Sequence, residues 1–259
     1  MKKYAIVVLV LSVVMVSTMF SAASASMVVN DPRIKISNSS SSNWSGYAVQ
    51  TNLATPQSGV VTDVKGTWVV PAVDPNFKTA RTYSSFWVGI DGYSSNSVEQ
   101  IGTDSDTDAN GRAVYYAWYE MYPKYPVNLK MTILPGDTIS AEVQYQGKNS
   151  FVLSITDTRN GVVVSSFSTT QKTGNVARSS AEWIAEAPSS RSGVLPLTDF
   201  NAVTFTSCSA TINGHTGTIS DAAWQDDAIT MATSSGTIKA QPYILTAGGS
   251  SFTVNWLHT

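Results

Sequence analysis

The chain has 259 residues, only 13% of them charged, with 16 Lys+Arg against 18 Asp+Glu and a formal net charge of −2 at pH 7. That balance excludes the basic face that nucleic acid or an anionic membrane surface demands of a partner. One cysteine, Cys208, excludes an intramolecular disulfide, and two histidines, His215 and His258, leave little for a Ser/His/Asp triad or a zinc site.

Residues 1–25 read as an export signal, with Lys2 and Lys3 leading an apolar run from Tyr4 to Phe20 and Ala23-Ser24-Ala25 as a small-residue cleavage site. Both charges lost on cleavage are basic, leaving 14 Lys+Arg against 18 Asp+Glu, a net of about −4. No later stretch is apolar for long enough to cross a bilayer, so a secreted chain without membrane contact after cleavage is expected. Residues 26–42 are polar and serine-rich and are expected to be a flexible leader or a short pro-segment. Residues 43–259 are expected to form one β-sandwich domain.

From Asn43 onward the chain is a series of short strand-like runs broken by turn residues. They fall at 44–50, 60–69, 84–90, 97–102, 114–122, 129–133, 138–144, 151–157, 162–168, 180–186, 202–212, 229–232 and 252–256. Pro135-Gly136-Asp137, Gln146-Gly147-Lys148-Asn149 and Arg159-Asn160-Gly161 mark turns, and Asn-Gly between alternating runs signals a hairpin. His215 falls in the turn-like Asn213-Gly214-His215-Thr216-Gly217, residues 221–227 allow one helical turn, and Cys208 reads as a buried, inert thiol. The pattern predicts an all-β antiparallel β-sandwich of jelly-roll or concanavalin-like type, in a single domain.

Ala181-Glu182-Trp183-Ile184-Ala185-Glu186 puts two carboxylates on one face of a predicted strand, because successive side chains alternate. Glutamate is disfavoured in strands and costly beside apolar neighbours, and charges are scarce here. The same parity groups Ser85, Trp87, Gly89 and Asp91; Val98, Gln100 and Gly102; and Tyr116, Trp118 and Glu120. If those faces coincide they line one concave cleft with aromatic walls and several polar groups. Periodicity does not decide whether they do.

Several blocks together resemble the glutamic peptidases, or eqolisins. They are Asn43-Trp44-Ser45-Gly46, Phe86-Trp87-Val88-Gly89-Ile90-Asp91-Gly92, Gln100-Ile101-Gly102-Thr103-Asp104 and Ala117-Trp118-Tyr119-Glu120-Met121-Tyr122-Pro123. Ala181 to Glu186 and Phe205-Thr206-Ser207-Cys208-Ser209 complete the set, in family order. The resemblance implies a secreted, pepstatin-insensitive acid endopeptidase that acts on protein or peptide substrates as a monomer, without metal or cofactor. It implies a catalytic pair of Gln100 and Glu186, with Trp87, Trp118, Glu120, Asp91 and Asp104 around the substrate. The chemistry suits those types. A carboxylate near pKa 4.3 can exchange protons at mildly acid pH, where histidine is already protonated, and an amide N–H₂ can donate to an oxyanion. Glu182, four residues along the strand from Glu186 and roughly 13 Å away, is expected to lie outside the chemistry. A carbohydrate-binding module, or a glycoside hydrolase using Glu120 and Glu186, remains open on the same fold.

Overall fold

The computed structural model describes residues 27–74 and 81–259; the expected export signal lies outside the described residues. Strands are numbered in chain order. They begin with β1 (Lys35–Ser37), β2 (Ser40–Ser41), β3 (Trp44–Gln50), β4 (Val61–Val69), β5 (Ser85–Ile90) and β6 (Val98–Thr107). They continue with β7 (Ala113–Tyr122), β8 (Val127–Asn128), β9 (Thr138–Tyr145), β10 (Ser150–Arg159), β11 (Val162–Lys172) and β12 (Ala181–Glu186). The last are β13 (Ser189–Ser190), β14 (Gly193–Val194), β15 (Ala202–Ile212), β16 (His215–Gly217), β17 (Gln225–Ala232), β18 (Ile238–Pro242) and β19 (Phe252–Trp256). No helix occurs among the described residues.

The predicted all-β sandwich is what the chain forms. One sheet runs β17-β3-β12-β5-β6-β7-β8, and the other runs β11-β10-β9-β4-β15-β19-β18. Strand β17 belongs to both, pairing with β3 through residues 225–229 and with β18 through Met231 and Ala232. All of these pairs are antiparallel; the short β2 alone runs parallel to its neighbour β17. Between the sheets lies a continuous apolar core that includes Phe86, Val88, Ile101 and Trp183 from the first sheet and Val64, Trp68, Ile139 and Phe205 from the second. Each such side chain contributes about 1.5–3 kcal/mol by leaving water. Trp183 is fully buried and still satisfies its indole N–H, which donates to the Lys65 carbonyl at 2.8 Å.

The opposite face of the first sheet carries its own apolar cluster of Trp44, Ala48, Trp87, Tyr93, Val98, Trp118, Ile184 and Ile229. Register shows that the predicted faces do coincide. Trp87 opposes Ile184 and Gly102, Gly102 opposes Trp118, and Gln100 opposes Glu120. Two glycines make room on this sheet. Gly46 sits at φ +151°, and a Cβ there would lie 2.1 Å from the Trp183 carbonyl oxygen, so only glycine lets β3 run against β12. A Cβ at Gly102 would lie 2.6 Å from Cβ of Trp87.

The Asn-Gly turns are tight as predicted. Asn160 and Gly161 have φ of 51° and 78°, and Arg159 pairs directly with Val162. Asn213 and Gly214 do the same, so His215 is the first residue of β16 rather than part of a turn. Two further expectations differ from the structure. Residues 129–133 form no strand. Leu129 and Ile133 bury their side chains in the core, but the bonding to β7 ends at the Leu129 N–H, which donates to the Ala117 carbonyl at 2.8 Å. Residues 221–227 form no helical turn. Asp221 caps a turn by accepting from the Ala223 N–H at 2.9 Å, and from Gln225 onward the chain is drawn into pairing with β3. Residues 27–42, expected as a flexible leader or a short pro-segment, carry β1 and β2. They pack on the domain through β1, β2 and a buried Arg33, whose guanidinium donates to the carbonyls of Ser37, Asn38 and Ser40.

Candidate active site

The centre of this face is built from neighbouring strands. On β12, Glu186 is fully buried. Its Oε2 accepts from the Trp87 indole N–H at 2.8 Å, and its Oε1 accepts from Asn43 Nδ2 at 3.4 Å. Trp87 is braced in turn by an edge-to-face contact with Trp44, ring centroids 4.9 Å apart at 77°. Burial pushes the Glu186 carboxyl well above the usual range; the Trp87 N–H opposes that, while Glu120, Asp31 and Asp104 reinforce it.

On β6, Gln100 is equally buried. Its Nε2 donates to Glu120 Oε2 at 2.9 Å and to the main-chain carbonyl of Asn30 at 3.0 Å. Its Oε1 has no hydrogen-bond partner among the described residues. Glu120, on β7, also accepts from the Asn30 N–H at 3.2 Å. Burial lifts its pKa to about 9, helped by the charge of Asp31 and opposed by the Asn30 and Gln100 donors.

In the flat lattice of the sheet, Glu186 aligns with Asp104 across β5 and so lies two strand spacings and four residues away from Gln100. That is a separation of roughly 16 Å. One short stretch of chain lies near both groups, reached by Gln100 directly and by Glu186 through Asn43. Gln100 holds the Asn30 carbonyl, and Asn43 Nδ2 touches both Glu186 and, at 3.3 Å, the carbonyl of Asp31.

Asp104 lies at the floor beside them. It accepts from the Trp118 indole N–H and, at 2.7 Å, from the Tyr116 hydroxyl, which also lies 3.0 Å from Asp106. Burial raises Asp104 to about 6, against these donors, and burial plus the Asp104 charge raises Asp106 well above its ordinary value. Asp104, Tyr116 and Trp118 line a cavity of about 320 Å³ together with Tyr125, Pro126, Asn128 and, from the N-terminal stretch, Met27, Val28 and Asn30.

Asp91 is not brought to this centre. At φ 73° it turns away and accepts from the N–H groups of Arg178 and Ser179 at 2.6 and 2.9 Å, tying down the loop that enters β12. Glu182 is fully buried on the same strand as Glu186, among Asp91 and Glu99 rather than the cleft groups, and burial holds it well above the carboxylate range. Asn30, Asp106 and Ser189 were not singled out by sequence; Tyr116 was placed on this face by alternation, and Asn43 entered only as part of a block. Among the described residues no group of three or more His, Cys, Asp or Glu is placed to hold a metal ion.

The family model for the peptidase A4 family matches residues 42–256. The chain belongs to that family. Aspergillopepsin-2 of Aspergillus niger is 31% identical over 205 residues, covering 72% of this chain and 70% of the relative. Scytalidopepsin B of Scytalidium lignicola is 30% identical over 167 residues, 61% of this chain and 62% of the relative. Among solved structures, aspergilloglutamic peptidase from Aspergillus niger superimposes with a TM-score of 0.59 at 30% identity, covering 68% of this chain and 99% of that one. Scytalido-glutamic peptidase bound to a transition-state analog inhibitor gives a TM-score of 0.68 at 24% identity over 83% of this chain and 98% of that one, a likeness of fold. An A4 peptidase is an enzyme, which decides against the carbohydrate-binding module, and a glutamic peptidase, which decides against the glycosidase. The four buried tryptophans of the first sheet, Trp44, Trp87, Trp118 and Trp183, thus divide between site and core: Trp183 packs inward, the others form the cleft floor.

Proposed function

We propose that this glutamic peptidase is a secreted endopeptidase that cuts peptide bonds in acid, with Glu186 as general base and Gln100 as oxyanion donor. The observation that carries the reading is the Gln100 amide, which already donates to a main-chain carbonyl, that of Asn30, at 3.0 Å. A substrate carbonyl placed there would meet the same N–H as its oxygen gains charge. Glu186 would take a proton from water as the water oxygen attacks the carbonyl carbon. The C–N bond then breaks, and the proton passes to the departing amine. The Trp87 N–H favours the ionised form of Glu186, the form a base needs. Gln100 Oε1 is an acceptor that can orient the attacking water. Trp118 and Asp104 would line a side-chain subsite, and Glu120 would accept from a substrate main-chain N–H, as it does from Asn30.

The test is proteolysis of an unfolded protein at pH 2–5 by purified, folded variants. Gln100→Ala should lose on the order of 10²–10³ in rate or more, and Glu186→Gln should be inactive. Activity in the parent should survive pepstatin, chelators and serine- or cysteine-directed reagents. Full activity in either variant removes that residue from the mechanism.

A further inference from the structure

Tyr116 brings one proton to two carboxylates. Its hydroxyl oxygen lies 2.7 Å from Asp104 Oδ2 and 3.0 Å from Asp106 Oδ2, both hydrogen-bonding distances. A tyrosine O–H donates once, so the second contact needs a hydrogen that the hydroxyl does not have, and a protonated carboxyl supplies it. Both acids are buried. From β5, the Ser84 N–H donates to Asp106 Oδ1 at 3.0 Å, and the Ser85 hydroxyl faces Asp104. From β7 come Tyr116 itself and the Trp118 indole N–H, which donates to Asp104 Oδ1. The further acids within reach of the Asp104 charge are Glu120 on β7 and Glu186 on β12, and no Lys, Arg or His acts on either aspartate.

The cluster stands in line with the proposed base. Tyr116 opposes Asp104, Asp104 opposes Ser85 and Ser85 opposes Glu186, one row across four neighbouring strands. Asp104 and Tyr116 also face the cavity beside Trp118, so the state of the cluster is felt on the cleft floor.

Resting on the peptidase reading above, we infer that Asp104, Tyr116 and Asp106 hold one shared proton in the working enzyme, that they are positioning residues for Trp118, and that loss of this proton sets the upper pH limit of cleavage. With the proton present, one carboxyl donates to the Tyr116 oxygen while the hydroxyl donates to the other carboxylate. Both links are made, and the cluster carries a single negative charge. When the proton leaves for solvent, two carboxylates compete for one donor; one link is lost and like charges face each other in a buried place. Trp118, bonded to Asp104, moves with it. Burial favours the neutral form of both acids, and the Asp104 charge adds to this at Asp106. The groups titrate as a unit, so the limit belongs to the cluster rather than to one acid. Ionisation of Glu186 sets the rising limb of the profile and the cluster sets the falling one.

The experiment records kcat/KM for a quenched peptide from pH 3 to 8 in the parent and in Asp106→Asn, Tyr116→Phe and Asp108→Asn, with a thermal melt of each protein across the same range. In Asp106→Asn the carboxamide keeps its oxygen for the Ser84 N–H and always has an N–H for Tyr116, a permanent copy of the protonated state. The falling limb should move to higher pH by at least about one unit while the rising limb stays. Tyr116→Phe withdraws a donor that steadies both carboxylates, so the proton is held to higher pH and the limb should move up too, at a lower rate throughout. If Asp106→Asn does not fold, this variant carries the test alone. Asp108→Asn removes a carboxylate paired with Arg112 at the surface and should leave the limb in place. A limb unmoved in the folded cluster variants, moved equally by Asp108→Asn, or coincident with unfolding of the parent overturns the inference and leaves the peptidase reading standing. A folded parent that cuts no peptide at any pH overturns both.

Discussion

Replacing Trp87 by Phe isolates one hydrogen bond. The phenyl ring retains the edge contact with Trp44, 4.9 Å between centroids, but the indole N–H that reaches Glu186 at 2.8 Å is gone. A hydrogen bond to a charged group is worth about 1.5–3 kcal/mol, and one pH unit is 1.36 kcal/mol, so the Glu186 pKa should rise by about one to two units. The sign follows from the donor: N–H stabilises the carboxylate, so its loss favours the acid. If Glu186 must be ionised to act, the rising limb of kcat/KM against pH should move up by the same one to two units. On that limb the rate should fall about 10–100-fold, and at the top of the profile much less. A thermal melt at pH 3.5, where Glu186 is neutral in both proteins, measures the packing cost separately. A uniform drop in rate with the limb unmoved would refute the reasoning and reduce Trp87 to a filler of space.

Gly102→Ala should unseat the same indole, since its methyl would lie 2.6 Å from Trp87 Cβ and 2.3 Å from the Phe86 carbonyl oxygen; we expect about 2 kcal/mol or more of destabilisation by thermal unfolding, with activity falling further than stability explains. Glu182→Gln should keep substantial activity, because the residue is buried away from the cleft, and an inactive, folded variant would reopen the assignment of the base. Stability itself should fall as pH rises. Asp104 goes from an ordinary 3.8 to about 6 on folding and Glu120 to about 9, so their contributions are full below about 4 and are lost as pH climbs through 6 and then 9. Asp104 alone accounts for on the order of 3 kcal/mol, or about 6–12 °C in Tm, between pH 3.5 and 7.5. Asp137, lowered by Arg159, acts below that window. A Tm that rises across it would contradict the burial of these acids.

Strand alternation makes the cleft face legible in the sequence. The sets containing Trp87, Gln100, Trp118 and Glu120 rested on period two, and register places them side by side because antiparallel partners share a face. Alternation also misplaced Asp91, since it holds only while the strand lasts. At φ 73° the chain has already turned, and the carboxylate points at the loop before β12. The run at 129–133 failed for a related reason: alternating burial needs a surface to cover, but a strand needs a neighbour to bond. Asn30 was illegible because its contribution is a main-chain carbonyl and N–H, which any residue carries. The one hint in that stretch was three apolar residues, Met27-Val28-Val29, ahead of Asp31-Pro32 in an otherwise polar leader.

Strand β17 has a consequence for how the chain comes together. The strand that bears Trp44 and lies next to Glu186 finds its outer neighbour only at residues 225–229, and the second sheet is completed only by β18 and β19. Pairings that span so much of the chain make folding slow, and until they form the Trp44 strand is a bare edge open to other chains. Translation or export must therefore run nearly to the end before a working cleft exists. A chain stopped ahead of Gln225 should aggregate rather than cut.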